Sequence, residues 1–582
     1  MNMNASVELS EKTFFDLFLS FRWHYLAQCE KNNQSSGFNK ELLGAFKFLY
    51  AISWQRLKIE YSNSELQKWK NSKIPFLVFV YGYAQLVRGI GSESPWVMGT
   101  LRRLRAPAWM GLWFQIEDAG RRRQYERQAK LIADIAAKDP TSYRWILIAC
   151  MQSLDTGEFD PKPLLSHLEN RKASDVYAAL LRGYLLIESD RFDDARDMLL
   201  DALVCSDETA KFIAHCYLGL LEYRTLNLEA CISYWASAAS NGLMPRAYID
   251  KWIALVISHP KYCRDSAKYI QAAAELVSHA TLDKCAIETY GLIRKWIDGN
   301  VRGAYEFIRE NKQFTYAKVA NNQVVPQIFF RTIALLIRYL SENKKDYLTP
   351  EPDWERLHVI GESHCLPPCH TTFQLNGWRA YATSCFVFGI KMWHLAQPSD
   401  NIYKRLMQAW LSEIGEGANI LITIGEIDCR PEKGMYSFSK THNKPIASVI
   451  DSVVDGYLLW LDSEFQTIKP KTIIIQGIQA PGYPLEDRFE NVDDSNAFIA
   501  MIRDVNNALK VRVIGRGWRF LDVYTATVGE NGCSNRKWHL DANHLYPGYF
   551  SASTINTING ANHSTCPTLQ GVLCTKEKSH SS

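Results

Sequence analysis

The chain has 582 residues, which at roughly 100–200 residues per domain points to two to four domains and leaves ample length for a large core. Hydrophobic residues make up 47% and charged residues 22%, which excludes a wholly disordered chain, a collagen and a coiled-coil rod. A net charge of +4 is too mild for a dedicated nucleic-acid binder, and 14 cysteines in so long a chain lack the density of a disulfide scaffold.

The first 21 residues carry Glu8, Glu11 and Asp16 where an export signal needs an uncharged core. The apolar run over residues 76–87 is too short to cross a bilayer. The expectation is a cytoplasmic protein with reduced thiols and no membrane span.

Residues 1–135 read as a helical region without a clear period. Residues 136–346 repeat themselves. Gly183 corresponds to Gly219, Phe192 to Leu228 and Ala202 to Ala238, each pair 36 residues apart. Phe159, Tyr262 and Val301 extend the series, with successive spacings of 33, 36, 34 and 39 residues. A small residue in one helix, an apolar residue at the turn and this period resemble tetratricopeptide repeats. The resemblance implies stacked helical hairpins, a solenoid with a groove for a protein partner.

A basic stretch holds Arg102, Arg103, Arg105, Arg121, Arg122, Arg123 and Arg127, with Trp109, Trp113 and Phe114 between them. Charge mixed with flat rings suits a nucleic-acid groove. A solvated helix face beside core aromatics is the favoured reading, and nucleic acid is not expected as a partner.

Residues 348–352, rich in proline, read as a linker, after which the charge balance turns from positive to negative. Residues 351–550 alternate strand and helix. Strands are expected at 357–360, 385–388, 420–424, 472–476 and 520–523, with helices at 402–411 and 446–465. Such alternation predicts an α/β domain with a parallel sheet, its functional residues just beyond the carboxyl ends of the strands. Residues 551–582, rich in Ser, Thr and Asn, read as a disordered tail.

The first expected strand runs into Gly361-Glu362-Ser363, the third into Gly425-Glu426-Ile427-Asp428, and near the end of the domain stands Asp541-Ala542-Asn543-His544. A serine hydroxyl is a poor nucleophile unless a base takes its proton, and a histidine does so best with a carboxylate fixing its tautomer. Gly-x-Ser, Gly-x-x-Asp and Asp-x-x-His in this order resemble the SGNH/GDSL hydrolase superfamily over about a third of the chain.

The resemblance implies a three-layer, flavodoxin-like fold. It also implies cleavage or transfer of acyl groups on esters, often on carbohydrates, with a small ester or glycan as the partner molecule. By the same resemblance Ser363 is the nucleophile, His544 the base and Asp541 its orienting carboxylate. Hydrolysis and O-acyl transfer share one acyl-enzyme and stay open.

Departures from the family pattern bear on activity. The family's oxyanion asparagine is replaced by Ile427, which has no side-chain donor. Arg430 is the nearest substitute, or else a salt-bridge partner of Glu426 or Glu432. Glu426 itself holds either Arg430 or a substrate hydroxyl. Gly389 supplies either the second oxyanion N–H or only a turn. Trp538 and His539 are pocket walls or packing. These departures keep alive a second reading, a catalytically weak binding module on an interaction scaffold. The string over residues 363–370 holds two Cys and two His but has no second pair at a matching distance, so neither metal nor cofactor is expected.

Overall fold

A computed structural model describes residues 63–87, 94–106, 108–121, 176–240, 244–277, 281–319, 321–343, 353–375 and 378–550, with isolated positions at 45, 124, 127, 128, 130, 131 and 165. The expected linker at 348–352, the tail at 551–582, Phe159 and most of residues 1–135 lie outside them. The chain divides into two compact units, one of Met1–Ile333 with Asp400–Trp410, the other of Ala334–Ser399 with Leu411–Ser582.

In the first unit every described element is helical. Helix Val176–Glu188 packs on Phe192–Leu203, and Glu208–Arg224 packs on Leu228–Ala239. Gly183 lies against Leu199, and Gly219 lies against Trp235. A side chain at either glycine would drive the paired helix away, so the 36-residue correspondence is one of close helix approach. The turns repeat as well. Asp190, Leu226 and Gly299 are left-handed at the end of a helix. The next residue in each case closes a bond to a carbonyl five residues back: Arg191 to Leu186, Asn227 to Glu222 and Asn300 to Lys295, at 2.8–2.9 Å. Phe192, Leu228 and Val301 then open the following helix. Tyr262 instead lies inside the short helix Pro260–Cys263.

Of the arginine-rich stretch, Arg122 and Arg123 lie outside the described residues. Arg102, Arg103 and Arg105 are exposed at the close of helix Ser94–Arg103, whereas Phe114 is buried. Among the described residues, one helical stretch, Gln323–Glu342, is long and apolar enough to cross a membrane by length and composition, and half of it is buried in the protein. Its Gln327 side chain donates to the carbonyls of Phe314 and Ala317, the bonding of a packed helix.

The second unit holds a six-stranded mixed sheet of order β2-β3-β1-β4-β5-β6. Its strands are β1 (Glu355–Gly361), β2 (Thr372–Leu375), β3 (Trp378–Phe386), β4 (Asn419–Ile422), β5 (Thr472–Gln476) and β6 (Arg519–Leu521). All pairings are parallel except β2 with β3. The fully parallel sheet expected from the sequence is therefore corrected by an antiparallel edge strand. The expectation at 385–388 caught only the end of β3, because Arg379 and the small residues of that strand mute its apolar signal.

Without β2, the parallel strands run second, first, third, fourth and fifth in space. Chain direction along the sheet reverses between β1 and β4, the place where α/β sheets open a crevice at their carboxyl ends. Val359, Ile360, Leu421, Ile422, Ile474 and Ile475 fill the centre of this sheet. Helix Ile446–Ile468 buries Val449, Val453, Tyr457 and Leu461, a four-residue stripe that covers apolar surface.

Candidate functional site

The end of β1 is fixed from both sides. Val387 N–H donates to Gly361 O at 2.8 Å and Thr423 N–H to Ile360 O at 3.0 Å. Gly361 faces Thr423 so closely that a Cβ there would meet its hydroxyl. Glycine here serves strand approach rather than a turn. Beyond it Glu362 caps a single turn of 3-10 helix, Ser363–Cys365, and its carboxylate accepts from both the N–H and the hydroxyl of Ser363. Glu362, Ser363 and His364 are all buried.

At the end of β4, Gly425 takes φ +140°, and Ile478 and Met392 crowd the space a side chain would need. Glu426 follows and Arg430 grips it. Arg430 Nε reaches both carboxylate oxygens at 3.1 and 2.9 Å, and Nη2 reaches Oε2 at 2.6 Å. Glu432 pairs instead with Arg488 at 2.7 Å. Burial alone would raise the Glu426 carboxyl, but Arg430 and His364 outweigh it and bring it down to about 2. Of the two roles weighed for Arg430, the geometry displays the ion pair.

Asp428 turns away from this group. Its carboxylate accepts from the N–H groups of Met392 at 2.8 Å and Trp393 at 3.0 Å, at the start of the short helix Met392–Ala396. It thereby ties the β4 loop to the segment that follows Gly389. Burial pushes its carboxyl up to about 6 against the pull of those two N–H groups. Gly389 takes φ +72°, the conformation of a glycine turn.

The third component is a tight loop between Trp538 and Tyr546. Tyr546 N–H donates to Trp538 O at 2.8 Å, and Leu540 N–H donates to His544 O at 2.7 Å. Asp541 Oδ1 accepts from the N–H groups of Asn543 and His544, both at 2.8 Å, and Oδ2 meets His544 Nδ1 at 2.8 Å. One carboxylate thus shapes the turn and orients the ring. Burial disfavours the His544 imidazolium, yet Asp541, with Glu362 and Glu426 behind it, raises His544 above the ordinary histidine range. Asp541 is held well below the usual carboxylate range, burial being overcome by His544 and the two N–H bonds.

Two further contacts anchor this loop to the segment after β5. The Gln479 side chain donates to Asn543 O, and His539 Nε2–H donates to Ala480 O at 3.0 Å. The Ser534 hydroxyl meets His539 Nδ1 at 2.7 Å, so both ring nitrogens of His539 are engaged. Burial lowers it to about 4.

The components meet through His364, whose ring centroid is 4.8 Å from that of His544. His364 Nε2 lies 3.6 Å from Glu362 Oε1 and 3.5 Å from Glu426 Oε2. Among the described residues, Glu362, His364 and Glu426 bring one ligand-type atom each within 4.8 Å of one another. Elsewhere in the string over residues 363–370, Cys365 and Cys369 are buried, and His370 Nδ1 meets the Tyr381 hydroxyl at 2.7 Å.

Sequence reasoning did not give His364 a role or join Glu362 to Glu426. The signal was present: β1 and β4 both run into Ile-Gly-Glu, at residues 360–362 and 424–426. Comparison with family models, curated proteins and solved structures returns no match.

Proposed function

We propose that residues 351–550 form an SGNH/GDSL-type domain of the three-layer, flavodoxin-like kind. It acts as a serine-dependent acyl ester hydrolase or O-acyltransferase on a small ester or a glycoconjugate. The observation that carries this reading is the Asp541–His544 pair, its buried imidazole set ring to ring against the chain neighbour of Ser363. The strand order 2-1-3-4-5 of the parallel strands supports the fold assignment.

Ser363 is the nucleophile. Its hydroxyl rests on Glu362 and turns about χ1 toward His544 when substrate binds. His544 takes the hydroxyl proton as the oxygen attacks the ester carbonyl. It then returns the proton to the departing alkoxide, leaving an acyl-Ser363 that water or an acceptor hydroxyl resolves. Asp541 stabilises the imidazolium between these transfers. The Gly389 N–H receives the oxyanion in place of the missing asparagine, and the Ser363 N–H joins it once released from the Glu362 carboxylate. Residues 136–346 form a tetratricopeptide-like solenoid that recruits substrate or a protein partner, in the cytoplasm.

A fluorophosphonate probe tests the assignment. Mass spectrometry is expected to locate the adduct on Ser363 and to find none in His544→Ala. Folded wild-type protein that takes no label would overturn it. The alternative, a binding module, draws support from Ile427 and from the engagement of Arg430 by Glu426.

A further inference from the structure

We infer that Glu362 Oε1, His364 Nε2 and Glu426 Oε2 are the protein ligands of a divalent transition-metal ion of the zinc class, held between the carboxyl ends of β1 and β4. Glu362 Oε1 and His364 Nε2 are buried without a hydrogen-bond partner. Their residues are only 3% and 2% exposed, where such atoms are costly to leave unsatisfied. His364 Nε2 is aimed between two carboxylates yet stands 3.6 and 3.5 Å from them, too far for good hydrogen bonds. Zinc bonds of about 2.0–2.2 Å set tetrahedral ligand atoms about 3.3–3.6 Å apart, and both separations fall there.

The donor set agrees with this choice. One imidazole and two carboxylates suit zinc, manganese or ferrous iron better than magnesium or calcium, which prefer oxygen alone. Three protein ligands leave a fourth position open, the arrangement of catalytic rather than structural zinc. The outer supports are also present. Ser363 holds the other oxygen of Glu362, and Arg430 holds Glu426. Arg430 Nη2 shares Oε2 with the proposed ion, so Glu426 serves two cations and the affinity is lower than three unshared ligands would give.

The inference does not rest on the acyl-transfer reading. Should both hold, the ion would stand beside Ser363 and bring positive charge to the side of the cleft where Ile427 offers none.

The test uses full-length protein stripped with chelator and titrated with Zn2+, and separately with Co2+ as an optical probe. The expected result is one ion per chain, with the visible bands of four-coordinate Co2+. Affinity should fall at least about 10-fold in His364→Gln and in Glu362→Gln, each checked for folding by circular dichroism. Cys365→Ser with Cys369→Ser should leave the affinity unchanged. Absence of stoichiometric binding would overturn the site, as would binding indifferent to His364→Gln or lost with the cysteines. If both ligand variants fail to fold, Co2+ bands in the wild type that lack a histidine contribution by electron–nuclear double resonance would also overturn it. Metal binding without fluorophosphonate labelling would sink the acyl-transfer reading alone.

Discussion

The Asp541–His544 pair and the cluster of Glu362, His364, Glu426 and Arg430 lie side by side, yet they are built in opposite ways. The pair comes from one loop and three residues of spacing, and a single carboxylate sets both the turn and the ring. The cluster comes from two strand ends more than sixty residues apart in sequence and exists only once β1 and β4 are neighbours. In the pair the acid falls and the base rises, each favouring the other's charge. In the cluster two carboxylates converge on one guanidinium and one imidazole. The first arrangement is self-sufficient; the second depends on how the sheet holds its strand ends.

The sharpest way to break this contrast is Asp541→Asn. The amide keeps an acceptor for the turn but cannot stabilise an imidazolium, so kcat is expected to fall on the order of 10³-fold with the fold intact. The pH dependence should follow. The raised pKa of His544 contributes stability present below its unfolded value and lost as pH rises through the folded one. The lowered pKa of Asp541 contributes stability present above its unfolded value and lost as pH falls. The pair is thus fully stabilising between about pH 4 and 6.5. Thermal melts across pH should lose both limbs in the variant. Unchanged melts would mean that the ring is held by packing.

A smaller effect is expected at Arg430→Ala. It leaves the buried Glu426 carboxylate without its main partner, but the arginine side chain is itself one-third exposed. Solvent screening therefore reduces the loss to about 1–2 kcal/mol, read by denaturant midpoint. With the ion pair as its role, kcat should change less than about 10-fold. A fall of about 100-fold with stability intact would move Arg430 into the reaction as an oxyanion partner.

The smallest effect belongs to Asp428→Asn. Its carboxyl is raised by burial, so ionisation costs the fold, and this group makes the protein more stable as pH falls from about 6 toward 4. Asparagine removes that cost while keeping an acceptor, and stability at pH 7 should change by no more than about 1 kcal/mol. Asp428→Ala, which strands two N–H groups, should cost about 2 kcal/mol. Equal losses in both variants would show that the charge itself holds the helix.

What was legible in the sequence followed the range of the interaction. The Asp-x-x-His turn is local, and its bonds lie within four residues. The helix turns of the repeat are local too, so a 36-residue spacing reads directly as a repeated left-handed residue and a repeated close contact. The β2–β3 hairpin was missed although Asn376-Gly377 is a strong hairpin signal, because neither flanking run is evenly apolar. Glu426 carried two open roles in sequence, and nothing in the string told that Arg430 turns back onto it or that His364 arrives from the neighbouring strand. The role of Asp428 at a helix start was beyond reach, since its partners lie 35 and 36 residues away.

The clamped end of β1 has a mechanical meaning. A strand bonded to both neighbours at its last two residues behaves as a beam gripped at the rim, and Ser363 stands on a lever arm only two residues long beyond the grip. So short an arm has little compliance. Thermal displacement of the serine backbone is limited by the stiffness of the sheet rather than of a loop. Its hydroxyl can turn while its N–H stays still. A group that must meet a partner within a fraction of an ångström gains more from that stiffness than from any single additional bond.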